Sequence, residues 1–176
     1  VATHQTGGEP RALAFDGQSI WVANAADDSV TKLSKDGATA QTFKVGDRPS
    51  ALAFDGEFIW VANTLGNSVT KLRRDGSEAG TFPVGRWPVA LTVERDHIWV
   101  ALAGEASVTK LDRDGKKLGT FRVGDTPVAI LFSHFQGEGH IWVANLADDT
   151  VMKLTLDGHR LAVVRTGDKP AAMAVF

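Results

Sequence analysis

The 176-residue sequence contains no cysteine and no tyrosine, and only two methionines. Without cysteine there can be no disulfide framework, no thiolate metal site and no cysteine nucleophile. Long apolar runs are also missing; none approaches the roughly 20 residues of a membrane-spanning helix. Charge of one sign is scarce: 19 Lys and Arg against 21 Asp and Glu leave a formal charge of −2. A chain so balanced has no electrostatic footprint for nucleic acid. The chain begins at Val1 with no recognisable signal peptide. Lack of cysteine suits an oxidising or a reducing compartment, and an exported location is weighed over a cytoplasmic one. At 43% hydrophobic and 23% charged residues, the composition is that of one globular domain.

What the chain has instead is repetition. Trp recurs at 21, 60, 99 and 142, and Pro at 10, 49, 88, 127 and 170. The spacing is 39 residues, widening once to 43. Ile20–Asn24, Ile59–Asn63 and Ile141–Asn145 read IWVAN, and Ile98–Leu102 reads IWVAL. Ser29–Leu33, Ser68–Leu72 and Ser107–Leu111 read SVTKL, and Thr150–Leu154 reads TVMKL. Residues 10–48 and 49–87 agree at 24 of 39 positions, so the units are copies of one another.

Each unit carries four strand signals divided by turn signals. In the first copy these are Ala12–Phe15, Ile20–Ala23, Val30–Leu33 and Thr42–Val45. Asp16-Gly17 and Asp36-Gly37 are tight-turn dipeptides, because glycine readily takes a positive φ. No stretch keeps a helical period. Four short antiparallel strands per 39 residues predict an all-β fold, a β-propeller of four-stranded blades. The first two strands of each unit read as dry, the third as mixed and the fourth as half wet. Each second-strand Trp is expected to fill the wedge between blades.

The units run at about 10–48, 49–87, 88–126 and 127–169. Residues 1–9 align with the outer strand of a preceding blade, and 170–176 with the inner strand of a following one. Four full blades plus one outer and one inner strand are therefore expected. Such a chain is a portion of a larger propeller, a ring completed by another copy, or a ring by itself. Its unpaired edges would favour self-association.

The repeated run VGxxPxALAFDGxxIWVANxxxxSVTKLxxDGxxxxTF resembles the YVTN-type propeller repeat. It is also similar to the repeats of streptogramin (virginiamycin B) lyases and, more distantly, to NHL repeats. The resemblance implies a propeller, of bacterial type, serving as a surface, periplasmic or sensor module. Lyase repeats carry an acidic residue at the end of the second strand. This chain has Asn24, Asn63, Leu102 and Asn145 there, so no catalytic residue is carried over.

Function is expected where the copies differ. The links preceding each Pro read Gly8-Glu9, Asp47-Arg48, Arg86-Trp87, Asp125-Thr126 and Asp168-Lys169. The loops between second and third strands, 25–28, 64–67, 103–106 and 146–149, vary on the same face. Loops on a rigid scaffold commonly carry binding. Arg48, Arg86, Trp87, Asp125 and Lys169 are the candidate ligand residues, with Trp87 and Arg86 the kinds of side chain that anchor interfaces. The expected function is a non-enzymatic binding or scaffold module for a small molecule, glycan or protein. Alternatives are a streptogramin-lyase-like enzyme and a sensor domain of a signalling protein. No catalytic set, cofactor, metal, nucleic acid or membrane insertion is expected. His134, Glu138 and His140, in the insertion of the fourth unit, read as a longer polar hairpin rather than a metal site.

Overall fold

The computed structural model describes residues 4–135 and 137–172. These residues form strands and turns without a helix, in two compact units that divide at Pro83/Val84. The first unit holds two sheets. One is β1 (Pro10–Phe15), β2 (Ser19–Asn24), β3 (Ser29–Ser34) and β4 (Ala40–Lys44); the other is β5 (Pro49–Phe54), β6 (Ile59–Asn63), β7 (Ser68–Leu72) and β8 (Glu78–Pro83). The second unit repeats the arrangement with β9 (Pro88–Glu94), β10 (His97–Leu102), β11 (Ser107–Asp112) and β12 (Lys117–Arg122), followed by β13 (Pro127–Phe135), β14 (Glu138–Asn145), β15 (Thr150–Leu154) and β16 (Arg160–Arg165). Every sheet is an antiparallel meander in sequence order, as the turn signals predict.

The Asp-Gly turns do more than reverse the chain. Asp16 Oδ1 accepts the backbone N–H of Gln18 (2.8 Å) and of Ser19 (2.6 Å), which closes the turn. Its Oδ2 accepts the Trp21 indole N–H at 2.8 Å. Asp55 holds Glu57, Phe58 and Trp60 in the same way. The carboxylate thus satisfies both the turn and the one polar atom of a buried Trp. In the fourth sheet Ser133 Oγ takes over, accepting from Trp142 at 2.9 Å. In the third, Glu94 turns to His97 Nδ1 (3.1 Å), and the buried Trp99 Nε1 has no partner.

The cores lie between the two sheets of each unit. Trp21 and Val30 pack on Ile59, Val61 and Leu72, with Phe43, Leu52 and Phe54 around them. Trp99 and Val108 pack on Ile141, Val143, Met152 and Leu154. Trp21 and Trp99 therefore fill the wedge between consecutive sheets, as expected. Lysines of the third strands tie each pair of sheets together. Lys32 Nζ donates to Arg74 O at 2.6 Å and Lys110 Nζ to Leu156 O at 2.8 Å, each passing over its own Trp ring. Close approach also fixes glycines within each pair. A Cβ on Gly76 would strike the Phe43 ring, and one on Gly158 the Phe121 ring, and both glycines have positive φ (90° and 82°).

The burial order departs from the sequence expectation. The driest strands are the second and third, not the first and second. First strands are half-buried, and β1 exposes Leu13 (70%) and Phe15 (55%). They form one of the two edges of each sheet, the fourth strands forming the other, and small alanines on an edge do not shield it. Third strands are dry despite their polar letters because those groups are satisfied internally. Thr31 is bonded to Thr42 Oγ1 and to the Asn24 side chain, and Thr70 likewise to Thr81 and Asn63.

At the ends, residues 4–9 and 166–172 enter no strand. His4 nevertheless lies over Gly37 as Phe43 lies over Gly76, and Gly7 N–H donates to Asn24 Oδ1 at 3.1 Å. Residues 1–3 and 173–176, which complete the two expected partial strands, lie outside the described residues.

Candidate functional site

At one end of each sheet the link before the first strand meets the loop between the second and third strands. The two are zipped together by their backbones. Ala25 N–H donates to Glu9 O, Thr64 to Arg48 O, Ala103 to Trp87 O and Leu146 to Thr126 O, all at 2.9–3.0 Å. The residue before each Pro is left-handed: Glu9, Arg48, Trp87, Thr126 and Lys169 have φ of 49–55°. So is the last residue of the facing loop, at Asp28, Asn67, Ala106 and Asp149. Non-glycine residues adopt this conformation at a cost of about 1–2 kcal/mol, so the contacts around them must hold it.

Loop carboxylates supply much of that hold. Asp27 accepts from Gly8 N (2.6 Å), Glu105 from Arg86 N (2.8 Å) and Asp148 from Asp125 N (2.6 Å), each gripping the link that precedes its sheet. Asp28 accepts from Arg48 N (2.8 Å) and Asp149 from Lys169 N (2.7 Å), gripping the link that follows. Much of the acidic variation among the loops is therefore committed to backbone. The asparagines ending the second strands are engaged as well: Asn24 Nδ2 donates to Ser29 Oγ and Thr31 Oγ1, Asn63 makes the matching two bonds, and Asn145 makes the first alone, to Thr150 Oγ1.

The five candidate ligand residues divide between the units. In the first unit Arg48 pairs with Glu9 at 3.0 Å, and Glu9 also holds Arg11. The Arg11 hydrogen bond, aided by the Arg48 charge, lowers the Glu9 pKa below the ordinary carboxylate value. In the second unit Arg86 folds back, its guanidinium donating to Gly104 O at 2.6 Å. Trp87 stands 53% exposed on a link fixed at both of its residues. Asp125 and Lys169 are held through their backbone N–H groups.

Of these five, Asp125 opens into a cleft of about 660 Å³ that the sequence did not reveal. Arg122, Arg160 and Arg165 line it, over a floor that includes Met152 and Val163, with Asp148 beside Asp125. A signal was present: Met152 and Val163 stand where the other units pair two threonines, Thr31 with Thr42, Thr70 with Thr81 and Thr109 with Thr120.

The insertion of the fourth unit lengthens the β13–β14 hairpin, with Ser133 opposite His140 and Phe135 opposite Glu138. His140 Nε2 lies 3.6 Å from Glu138. Among the described residues no three His, Asp or Glu side chains converge as metal ligands.

Neither a protein-family profile nor a curated protein matches the chain. Solved structures do. A catalytically inactive virginiamycin B lyase from Staphylococcus aureus, solved with quinupristin, superposes with a TM-score of 0.84 at 16% identity, over 96% of this chain and 60% of the lyase. Hydrazine synthase from Kuenenia stuttgartiensis gives 0.79 at 19% identity, over 93% of this chain and 51% of that one. A chain of the nidogen/laminin complex gives 0.76 at 15% identity, over 96% and 68%. The chain spans about half to two thirds of the proteins it resembles. At these identities the likeness concerns the fold, and the fold is a β-propeller of four-stranded antiparallel blades.

Proposed function

We propose that the chain is a non-enzymatic binding module that presents its link-and-loop face to a small molecule, glycan or protein. Trp87 carries this reading. A large aromatic side chain is half exposed while the backbone beneath it is fixed by Glu105, by Ala103 N–H and by the following Pro88. A rigid aromatic with two rotatable bonds loses little entropy on binding, which is why such residues anchor recognition surfaces. Arg86, Asp125 and Lys169 in the same unit, and Arg48 in the first, supply charge on equivalent links. A nidogen/laminin propeller is among the structural neighbours, which supports protein as one ligand class.

The lyase alternative draws on the neighbouring lyase folds. Against it, the positions where lyase repeats are acidic hold Leu102 and three asparagines, whose amide nitrogens donate within their own sheets. A sensor role in a larger protein would use the same face. The test is an array of glycans, peptides and small molecules probed with the wild type and with Trp87→Ala. A ligand bound unchanged in mass, and lost on truncation of Trp87 in a folded chain, supports the reading.

Self-association follows from a separate observation. The free edge strand β1 exposes Leu13 and Phe15, and β2 adds Ile20 at 37% exposure. An apolar edge of this kind pairs with other chains. Sedimentation of the 176-residue chain should show concentration-dependent association that Phe15→Asp removes.

A further inference from the structure

We infer that the cleft between β12 and β16 is a second binding site, for an organic anion with an aliphatic or aromatic body. It lies along the outer strands of the second unit and meets the loop face at Ala106, Asp125 and Asp148.

Three features of the cleft point there. Arg122, Arg160 and Arg165 are exposed and make no ion pair or hydrogen bond among the described residues, although they line one cleft. Most other arginines are engaged, as Arg48 is with Glu9, Arg74 with Gly56 O and Arg86 with Gly104 O. Next, the floor is apolar here alone among the units. Met152 is 6% exposed and stands beside Val163, 45% exposed, where the other sheets place a hydrogen-bonded threonine pair. Finally, the rim sets an arginine on either side of the apolar pair. The residues facing the end of the third strand, the threonine position and the end of the outer strand are Arg160, Val163 and Arg165. The matching residues are Ala40, Thr42 and Lys44 in the first repeat, Glu78, Thr81 and Pro83 in the second, and Lys117, Thr120 and Arg122 in the third, so the fourth repeat alone joins two basic ends to an apolar centre.

Guanidinium groups around an apolar floor select a carboxylate or phosphate carried on a hydrophobic body. The anion would sit on Arg160 and Arg165, and the body on Met152 and Val163. Asp125 and Asp148 at one end repel a second negative charge, which favours a monoanion. The volume of about 660 Å³ lies within the range of small-molecule sites.

The chain's two methionines make the test local. With ¹³C-methyl methionine, Met152 reports from the floor of the cleft, assigned by its loss in Met152→Leu. The probes are octanoate, acetate and 1-octanol. Octanoate should shift the Met152 resonance saturably and bind at least about tenfold tighter than either fragment. Arg160→Gln with Arg165→Gln should weaken octanoate about tenfold or more, Arg165→Lys should recover part of it, and Trp87→Ala should change nothing. The two arginines are exposed, and the indole spectrum checks that the variants fold. An unmoved Met152 resonance, an equal response to 1-octanol, or binding indifferent to the double substitution would overturn the inference. None of these outcomes bears on the loop face, which the Trp87→Ala array tests separately.

Discussion

Trp21 and Trp99 occupy the same place in successive repeats, and one difference between them sets up a sharp test. Both are fully buried, both tilt against a phenylalanine (Phe43 at 6.0 Å, Phe121 at 5.5 Å), and both lie under a lysine (Lys32 at 5.4 Å, Lys110 at 5.2 Å). Trp21 donates its indole N–H to Asp16, which is only 3% exposed; Trp99 donates to nothing. Replacing either by Phe removes the same ring area, so that loss cancels in the comparison. Trp21→Phe also removes a hydrogen bond to a charged acceptor and leaves a buried carboxylate oxygen empty, at about 1.5–3 kcal/mol. Trp99→Phe instead removes a buried donor without a partner, which relieves a penalty. Trp21→Phe should therefore be the more destabilising by about 2 kcal/mol or more in urea unfolding at unchanged m value. Equal costs, within about 0.5 kcal/mol, would show that the Asp16 bond contributes nothing and that the turn carboxylate does not anchor the core.

Other outcomes follow from the same geometry. Burial of Asp16 opposes its ionisation, but hydrogen bonds from Trp21 and from the Ser19 and Gln18 N–H groups outweigh it and lower its pKa in the folded state. Its contribution is thus present above the unfolded value of about 4 and is lost as pH falls through the lower folded one. Urea midpoints followed from pH 6 down to 2 should fall less steeply in Trp21→Phe than in the wild type. Gly76→Ala meets the Phe43 ring and a φ of 90°, whereas Gly56→Ala meets a φ of 97° and open space. The first should cost more than the second, which pays only the backbone strain of about 1–2 kcal/mol, in paired thermal melts. Lys32→Met should lower stability by leaving Arg74 O unpaired, and Lys153→Met should not, since Lys153 makes no hydrogen bond among the described residues.

Strands and turns were legible because the four repeats give nearly the same signals. The apolar IWVAN runs, the Asp-Gly turns and the Pro opening each first strand leave one consistent folding pattern. The burial order was less legible. Thr31, Thr70 and Thr109 look like solvent-facing letters, but each is buried on a hydrogen-bonded partner, and a partner across a sheet is invisible in one strand's sequence. The loop variation was read as functional throughout. Much of its acidic part turns out to cap link backbone: Asp28 and Asp149 hold the N–H of the left-handed residue before Pro, and Asp27, Glu105 and Asp148 hold the N–H one residue earlier. The cleft escaped notice because its lining residues come from four separate strands and links. Only the change from threonine to Met152 and Val163 marked it.

The central claim is that this propeller binds, without transforming, a ligand at the face carrying Trp87. Mass spectrometry of ligands retained by the folded chain, wild type against Trp87→Ala, tests it most directly. The account predicts a ligand recovered with its mass unchanged from the wild type. It also predicts an affinity loss of about 2 kcal/mol or more in the variant at nearly unchanged stability. A ligand recovered chemically altered, or one retained equally by Trp87→Ala, would contradict it.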